Sequence, residues 1–195
     1  MEVTELARAW RHSATPTGAH ALAERLLGSG QYVRTRGVAQ QAARAARACR
    51  IGPPERRRLL ACAWMHDLGP HAAGWEAPLQ VARALRRAGH EPEARILAHA
   101  AGLDTAAALA DAAPVVREFP RPEGGDADVL MLLDAALLTT RADGAPGTPR
   151  HALAGRLALS APADPGLRAL VALVARLADD PDARRLVEAL APAER

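Results

Sequence analysis

The sequence contains no lysine and is poor in aromatic residues and in cysteine. Phe, Trp and Tyr together make up 3% of its 195 residues, and Val, Ile and Thr are also scarce. These residues favour strands, so their shortage argues against a large sheet. The two cysteines, Cys49 and Cys62, are too few for a disulfide framework in a chain of this size. No apolar run reaches the roughly eighteen residues of a transmembrane helix, so no membrane partner is predicted.

Alanine, leucine and arginine dominate the composition, and all three favour helices. With 49% hydrophobic residues, the chain is long enough for one compact core. We therefore predict an all-α fold in which residues 17–195 form one helical domain. Residues 1–16 are predicted to form an extension with its own helix over 3–12. Trp10 on that helix is exposed unless something covers it, which suggests contact between two copies in a homodimer.

The positive charge is carried by arginine alone and is spread along the chain. The formal net charge is +3 and the isoelectric point is about 9.6. A nucleic-acid-binding stripe is denser and usually interleaved with aromatic residues, so the pattern argues against nucleic acid. A small phosphorylated or other anionic ligand fits better, because arginine binds phosphate bidentately. The first residues are acidic and lack the apolar stretch of a signal peptide, so a cytoplasmic location is predicted.

The spacing of apolar residues and the positions of proline and glycine predict a series of helices. These helices cover residues 17–27, 34–49, 55–67, 78–88, 91–101, 104–112 and 129–138, with two more around 167–177 and 186–190. The segment 129–138 is apolar on nearly all sides, as is typical of a helix buried in the core.

The doublet His66-Asp67 is the first candidate site. Asp67 follows Leu60 and Trp64 at helical spacing, so we expect it on the buried face of its helix. A buried carboxylate is costly unless it is paired or bound to a metal, and a neighbouring imidazole completes a natural ligand pair. The alternative is a histidine at a helix end followed by a capping aspartate.

Asp134 and His99 are two further polar residues on apolar helix faces. An unpaired charge at Asp134 would be destabilising by roughly 3–5 kcal/mol, so an arginine, a histidine or a metal should pair with it. His99 lies on an inner seam, where a histidine is either hydrogen-bonded in the core or a ligand.

Seven segments occur in an order that is typical of one protein family. They are Ala19–Leu27, Gly37–Ala39, Leu60–Gly69, Pro78–Arg83, Leu97–Ala100, Glu118–Pro120 and Thr139–Gly144. Over residues 17–150 they resemble the HD-domain superfamily, and most of all small actinobacterial HD proteins. The resemblance implies an HD-like helical bundle and a metal-dependent phosphohydrolase that holds a divalent ion such as Mn, Fe, Zn, Mg or Ni.

The resemblance also implies roles for individual residues. His66 and Asp67 become catalytic residues and metal ligands, and Asp134 and His99 complete the metal set. The position of the final aspartate depends on the register, because alignment on Asp128 selects Asp134 whereas alignment on Thr139-Thr140 selects Leu137.

Three expected histidines are replaced in this chain, by Arg34, Ala77 and Ala100. A guanidinium has no lone pair for a metal and stays protonated. Arg34 is therefore expected to bind the phosphate of a substrate, to neutralise Asp67 or Asp134, or to bind an anion in a metal-free pocket. If the arginine has replaced the ion, the protein has no metal cofactor.

Three hypotheses follow for the function. The first is a metal-dependent phosphohydrolase that works with a reduced ligand set. The second is a non-catalytic HD-fold protein that binds a ligand or a partner. The third is a metal-free or oxygenase-type HD-fold enzyme in biosynthesis, in which Asp67 or Asp134 serves as a base.

Overall fold

The structure, a computed structural model, describes residues 15–69, 76–110, 118–158 and 164–192. These residues form ten α-helices and one 3-10 turn, Ala100–Gly102, and no strand. The prediction of an all-α fold is confirmed. The helices are α1 (Pro16–Leu26), α2 (Ser29–Ala48), α3 (Pro53–Met65), α4 (Ala77–Arg87), α5 (Glu91–His99), α6 (Leu103–Leu109), α7 (Gly125–Leu138), α8 (Pro149–Leu157), α9 (Pro165–Asp179) and α10 (Pro181–Leu190).

Helix α7 lies at the centre of the described fold. Nine of the ten residues from Val129 to Leu138 are buried, as the uniformly apolar sequence of this helix predicts. It packs against α2, α3, α5 and α10. The surrounding core is built mostly from alanine and leucine, and Phe119 is its largest fully buried side chain. Small alanine faces let these helices approach closely, so a chain with few aromatic residues still fills its interior.

Several helix boundaries differ from the prediction, and one of them affects the site. Helix α7 begins at Gly125 rather than at residue 129, and α10 begins at Pro181 rather than near residue 186. Helix α2 begins at Ser29 rather than at residue 34. Helix α3 ends at Met65, so His66 is its C-cap and Asp67 lies in the following turn rather than on the helix. After this turn, Gly69 packs closely against the start of α4, where any Cβ would collide with the backbone of Ala77.

The predicted N-terminal extension over residues 1–16, with the helix over 3–12 and Trp10, lies almost entirely outside the described residues. Helix α1 begins at Pro16, capped by the Thr15 hydroxyl, which accepts a hydrogen bond from the Gly18 amide at 3.1 Å. Within the described ranges, no helix has the length and apolar character needed to cross a bilayer.

Candidate functional site

A cavity of about 390 Å³ opens where α2, the turn after α3, the 3-10 turn and α8 meet. Three of the predicted site residues, Arg34, His66 and Asp67, line it together. Arg156 and His151 of α8 also line the cavity, and leucine and alanine side chains form much of the rest. The structure thus brings the doublet and the arginine together in one concave site, the form that small-molecule sites usually take.

Asp67 is held by Arg34 through a direct ion pair. Arg34 Nη1 donates to Asp67 Oδ2 at 2.9 Å, and the Thr35 hydroxyl donates to the same oxygen at 3.3 Å. Both donors come from α2, so the pair ties α2 to the turn after α3. Of the alternatives for Arg34, neutralisation of Asp67 is the one that the structure shows.

His66 is the third member of this cluster, and its side chain is only 7% exposed. Its Nδ1 lies 2.9 Å from the carbonyl oxygen of Ala63, and because a carbonyl only accepts, Nδ1 carries a proton and donates. Its Nε2 lies 3.3 Å from Asp67 Oδ2, the same oxygen that Arg34 contacts. His66 and Arg34 therefore both face the Asp67 carboxylate.

The electrostatics of the cluster keep Asp67 ionised. Burial by itself raises the pKa of Asp67, but the charges and hydrogen bonds of His66 and Arg34 outweigh burial and hold that pKa well below its usual value. A carboxylate with so low a pKa attracts protons weakly, which makes Asp67 a poor general base near neutral pH.

Asp134 does not line the cavity. It is 1% exposed, and its Oδ1 accepts a hydrogen bond from the Ala101 amide at 2.7 Å. Its Oδ2 lies 3.3 Å from Arg176 Nη2 on α9. Arg176 is thus one of the partners of this buried carboxylate. An arginine was one of the three kinds of partner that the sequence analysis considered for Asp134.

His99 also serves the core rather than the cavity. It is 3% exposed, and its Nε2 donates to the carbonyl oxygen of Phe119 at 2.8 Å. Its Nδ1 makes no hydrogen bond to a described residue. The histidine therefore fastens α5 to the segment around Phe119, which is the hydrogen-bonded alternative considered for it.

The residues present do not fit a divalent ion. Within the described ranges, no group of three or more His, Cys, Asp or Glu residues is placed to hold a metal. The four predicted ligands are divided, because His66 and Asp67 line the cavity whereas Asp134 and His99 do not. The Arg34 guanidinium also occupies Asp67 Oδ2, where it would repel a cation.

Four residues that line the cavity were not among the site residues predicted from the sequence. His151 is exposed and also lines the cavity, and its Nδ1 accepts a hydrogen bond from the Thr148 amide at 3.2 Å. Arg156 lines it too, and its Nη2 lies 3.3 Å from Asp164 Oδ2. Ala77 and Ala100, two positions where the resemblance implies histidine, also lie on the wall. The only sequence signal for Ala77 and Ala100 is that alanine stands where the resemblance implies histidine.

Two of the segments that carry the HD-domain resemblance contact each other. Arg83 donates to Glu118 Oε2 through Nε at 3.0 Å and through Nη2 at 2.9 Å. Arg86, which follows the first segment, donates to Glu118 Oε1 at 2.5 Å, and its guanidinium lies 4.4 Å from the centre of the Phe119 ring. These contacts join α4 to the segment around Phe119.

The Glu118 pair predicts a pH-dependent stability. Hydrogen bonds from Arg83 outweigh the effect of burial, and the charges of Arg83 and Arg86 add to them, so the pKa of Glu118 is lowered. Its stabilisation is therefore complete above the unfolded value of about 4.3 and is lost as the pH falls through the lower folded value. We expect E118Q to cost about 1–2 kcal/mol at pH 7 in urea denaturation, with the difference shrinking below pH 4.

The matched control is E123Q, at an exposed glutamate on the same segment. It should leave the free energy of unfolding unchanged at both pH values. A cost for E118Q that stays constant from pH 7 to pH 3 would contradict the ion pair as the source.

Comparison with known proteins identifies no relative of this chain. No family model, no curated protein and no solved structure matches the chain.

Proposed function

We propose that this protein is a non-catalytic, metal-free binding protein of the HD-like type, and that its cavity takes a small anionic ligand. The observation that carries the proposal is the 2.9 Å bond from Arg34 Nη1 to Asp67 Oδ2 on the cavity wall. It places a permanent positive charge where the resemblance implies a metal ion.

The remaining hydrogen-bonding capacity of Arg34 supports this proposal. Nη1 is engaged with Asp67, whereas Nη2 and Nε make no hydrogen bond to a described residue. The side chain is 38% exposed, so a ligand that enters from solvent can reach it. Arginine binds carboxylates and phosphates through such paired N–H groups.

The second candidate is the phosphohydrolase that the resemblance implies. It is favoured by one observation, the position of His66 and Asp67 side by side on a cavity. The ion pair with Arg34 and the scattered positions of Asp134 and His99 count against it.

Metal analysis and ligand binding on the same tag-free protein test the proposal. We expect far less than one equivalent of any transition metal by mass spectrometry, and a thermal midpoint that EDTA does not change. In EDTA, at least one of inorganic phosphate, AMP and octanoate should raise the midpoint, because a ligand at a hundred times its Kd adds about 2.7 kcal/mol of stability.

Two arginines of α2 provide the matched variants. R34Q should abolish the stabilisation by the anion, whereas R36Q, at an exposed position that does not line the cavity, should retain it. One equivalent of metal that is lost in His66→Ala, together with hydrolysis of p-nitrophenyl phosphate, would replace the proposal with the phosphohydrolase.

A further inference from the structure

The cavity lining combines charged and apolar side chains. The polar and charged members include Arg34, His66 and Asp67, with Arg156 and His151 contributed by α8. The apolar members, called here the apolar wall, include Leu97, Leu103, Ala106, Leu137 and Leu170. A ligand that fills such a space needs an anionic head and an apolar body, since leucine side chains offer no hydrogen bonds to a polar body.

The charges around Arg34 favour a singly charged head group. Arg34 is paired with Asp67 at 2.9 Å and Arg156 with Asp164 at 3.3 Å, so each of the two lining arginines already has a carboxylate partner. A monocarboxylate adds one negative charge beside Asp67, whereas a phosphate monoester adds nearly two and is repelled more strongly.

The alanines at two of the replaced histidine positions affect which ligand the cavity can hold. Ala77 and Ala100 contribute methyl groups to the wall, at positions where imidazoles would add polar atoms and fill space. At about 390 Å³ the cavity is near the lower end of the range for small-molecule sites. The space therefore suits a compact aliphatic chain rather than a nucleotide.

We infer that the cavity binds a small aliphatic monocarboxylate, with its carboxylate at Arg34 and its chain along the apolar wall. This inference rests on the proposed function and names the ligand class of the same site. It predicts that affinity depends on both the charge and the length of the ligand.

Calorimetric titration of the full chain in EDTA tests the inference. Octanoate should bind with a stoichiometry of one and at least ten times more tightly than acetate, because each buried methylene strengthens binding about fourfold. Octanol, which has the body without the charge, and octylamine, which reverses the charge, should both bind at least ten times more weakly than octanoate. R34Q should lose at least tenfold in octanoate affinity, and R36Q should lose none.

A second variant keeps the inference testable if R34Q does not fold. Ala152 is partly buried on α8 and lines the cavity, so A152L adds bulk to the apolar wall while Arg34 stays in place. It should weaken octanoate binding at least fivefold and leave acetate binding unchanged.

The other outcomes separate the two proposals. Octyl phosphate at ten times the affinity of octanoate would overturn the monocarboxylate, as would octanol at equal affinity. Phosphate or AMP binding that depends on Arg34, without octanoate binding, would overturn the ligand class and leave the proposed function standing. No binding of any of these probes would overturn both.

Discussion

Asp134→Ala should destabilise the protein by about 3 kcal/mol, one of the largest effects we expect from a single substitution outside the apolar core. The carboxylate is 1% exposed and accepts the Ala101 amide at 2.7 Å. Ala101 is in the left-handed region, with φ 56° and ψ 25°, a conformation that costs an alanine about 1–2 kcal/mol. Removal of the acceptor leaves both a strained turn and an unpaired amide.

Graded variants show which partner matters. D134N keeps an oxygen for the Ala101 amide and should cost about 1 kcal/mol. R176A should cost less than about 1 kcal/mol, because the Arg176 side chain is 40% exposed and its ion pair is screened by solvent. A101G should be stabilising, since glycine adopts the left-handed conformation without strain.

Urea denaturation followed by circular dichroism measures these differences. The cost of D134A should be the same with and without EDTA, because we assign Asp134 to the fold and not to a metal. A cost that disappears in EDTA would make Asp134 a metal ligand, and R176A as damaging as D134A would make the ion pair the main stabilising contact.

The helices could be predicted from the sequence wherever they bury an apolar face. The spacing of leucine and alanine located α4, α5 and α9 to within a few residues, because burial of one face produces that spacing. Helix α8 escaped prediction for the converse reason. None of its residues is buried, so Pro149–Leu157 carries no periodic apolar signal.

The candidate site could be predicted only in part. His66 and Asp67 stood out as polar residues on an apolar helix face, and Arg34 stood out because it stands where the resemblance implies histidine. The structure places all three on one cavity. The partners of Asp134 could not be predicted, because any of the many arginines could in principle reach a buried carboxylate. The choice of Arg176 is made by the packing of α9 on the 3-10 turn, which is a tertiary event without a local sequence signal.

The contact between α2 and the loop after α7 explains why a glycine is needed beside the site. A Cβ at Gly37 would lie 2.7 Å from the Gly144 Cα and also strike the Gly144 carbonyl. Gly144 itself has φ 76° and packs against the backbone of Val33. Residues 33 and 37 flank Arg34 along α2, so this loop holds the helical turn that presents the arginine.

Gly37→Ala should therefore destabilise the protein by about 1–3 kcal/mol, because the loop backbone must move to make room. The same substitution at Gly30, in the first turn of the same helix and with no atom within 4 Å of its added Cβ, should be neutral or stabilise by up to about 0.5 kcal/mol. Urea denaturation of the pair separates the steric effect from helix propensity, which favours alanine over glycine at both positions.

The loop also carries Thr140 and Ala142 on the cavity wall, so its displacement should reach the ligand. We expect G37A to weaken octanoate binding while G30A leaves it unchanged, although neither substitution touches the cavity directly. If G37A proves as stable as G30A and binds octanoate as well, the loop has room to move, and the position of Arg34 is then fixed by its bond to Asp67 rather than by the packing of the loop.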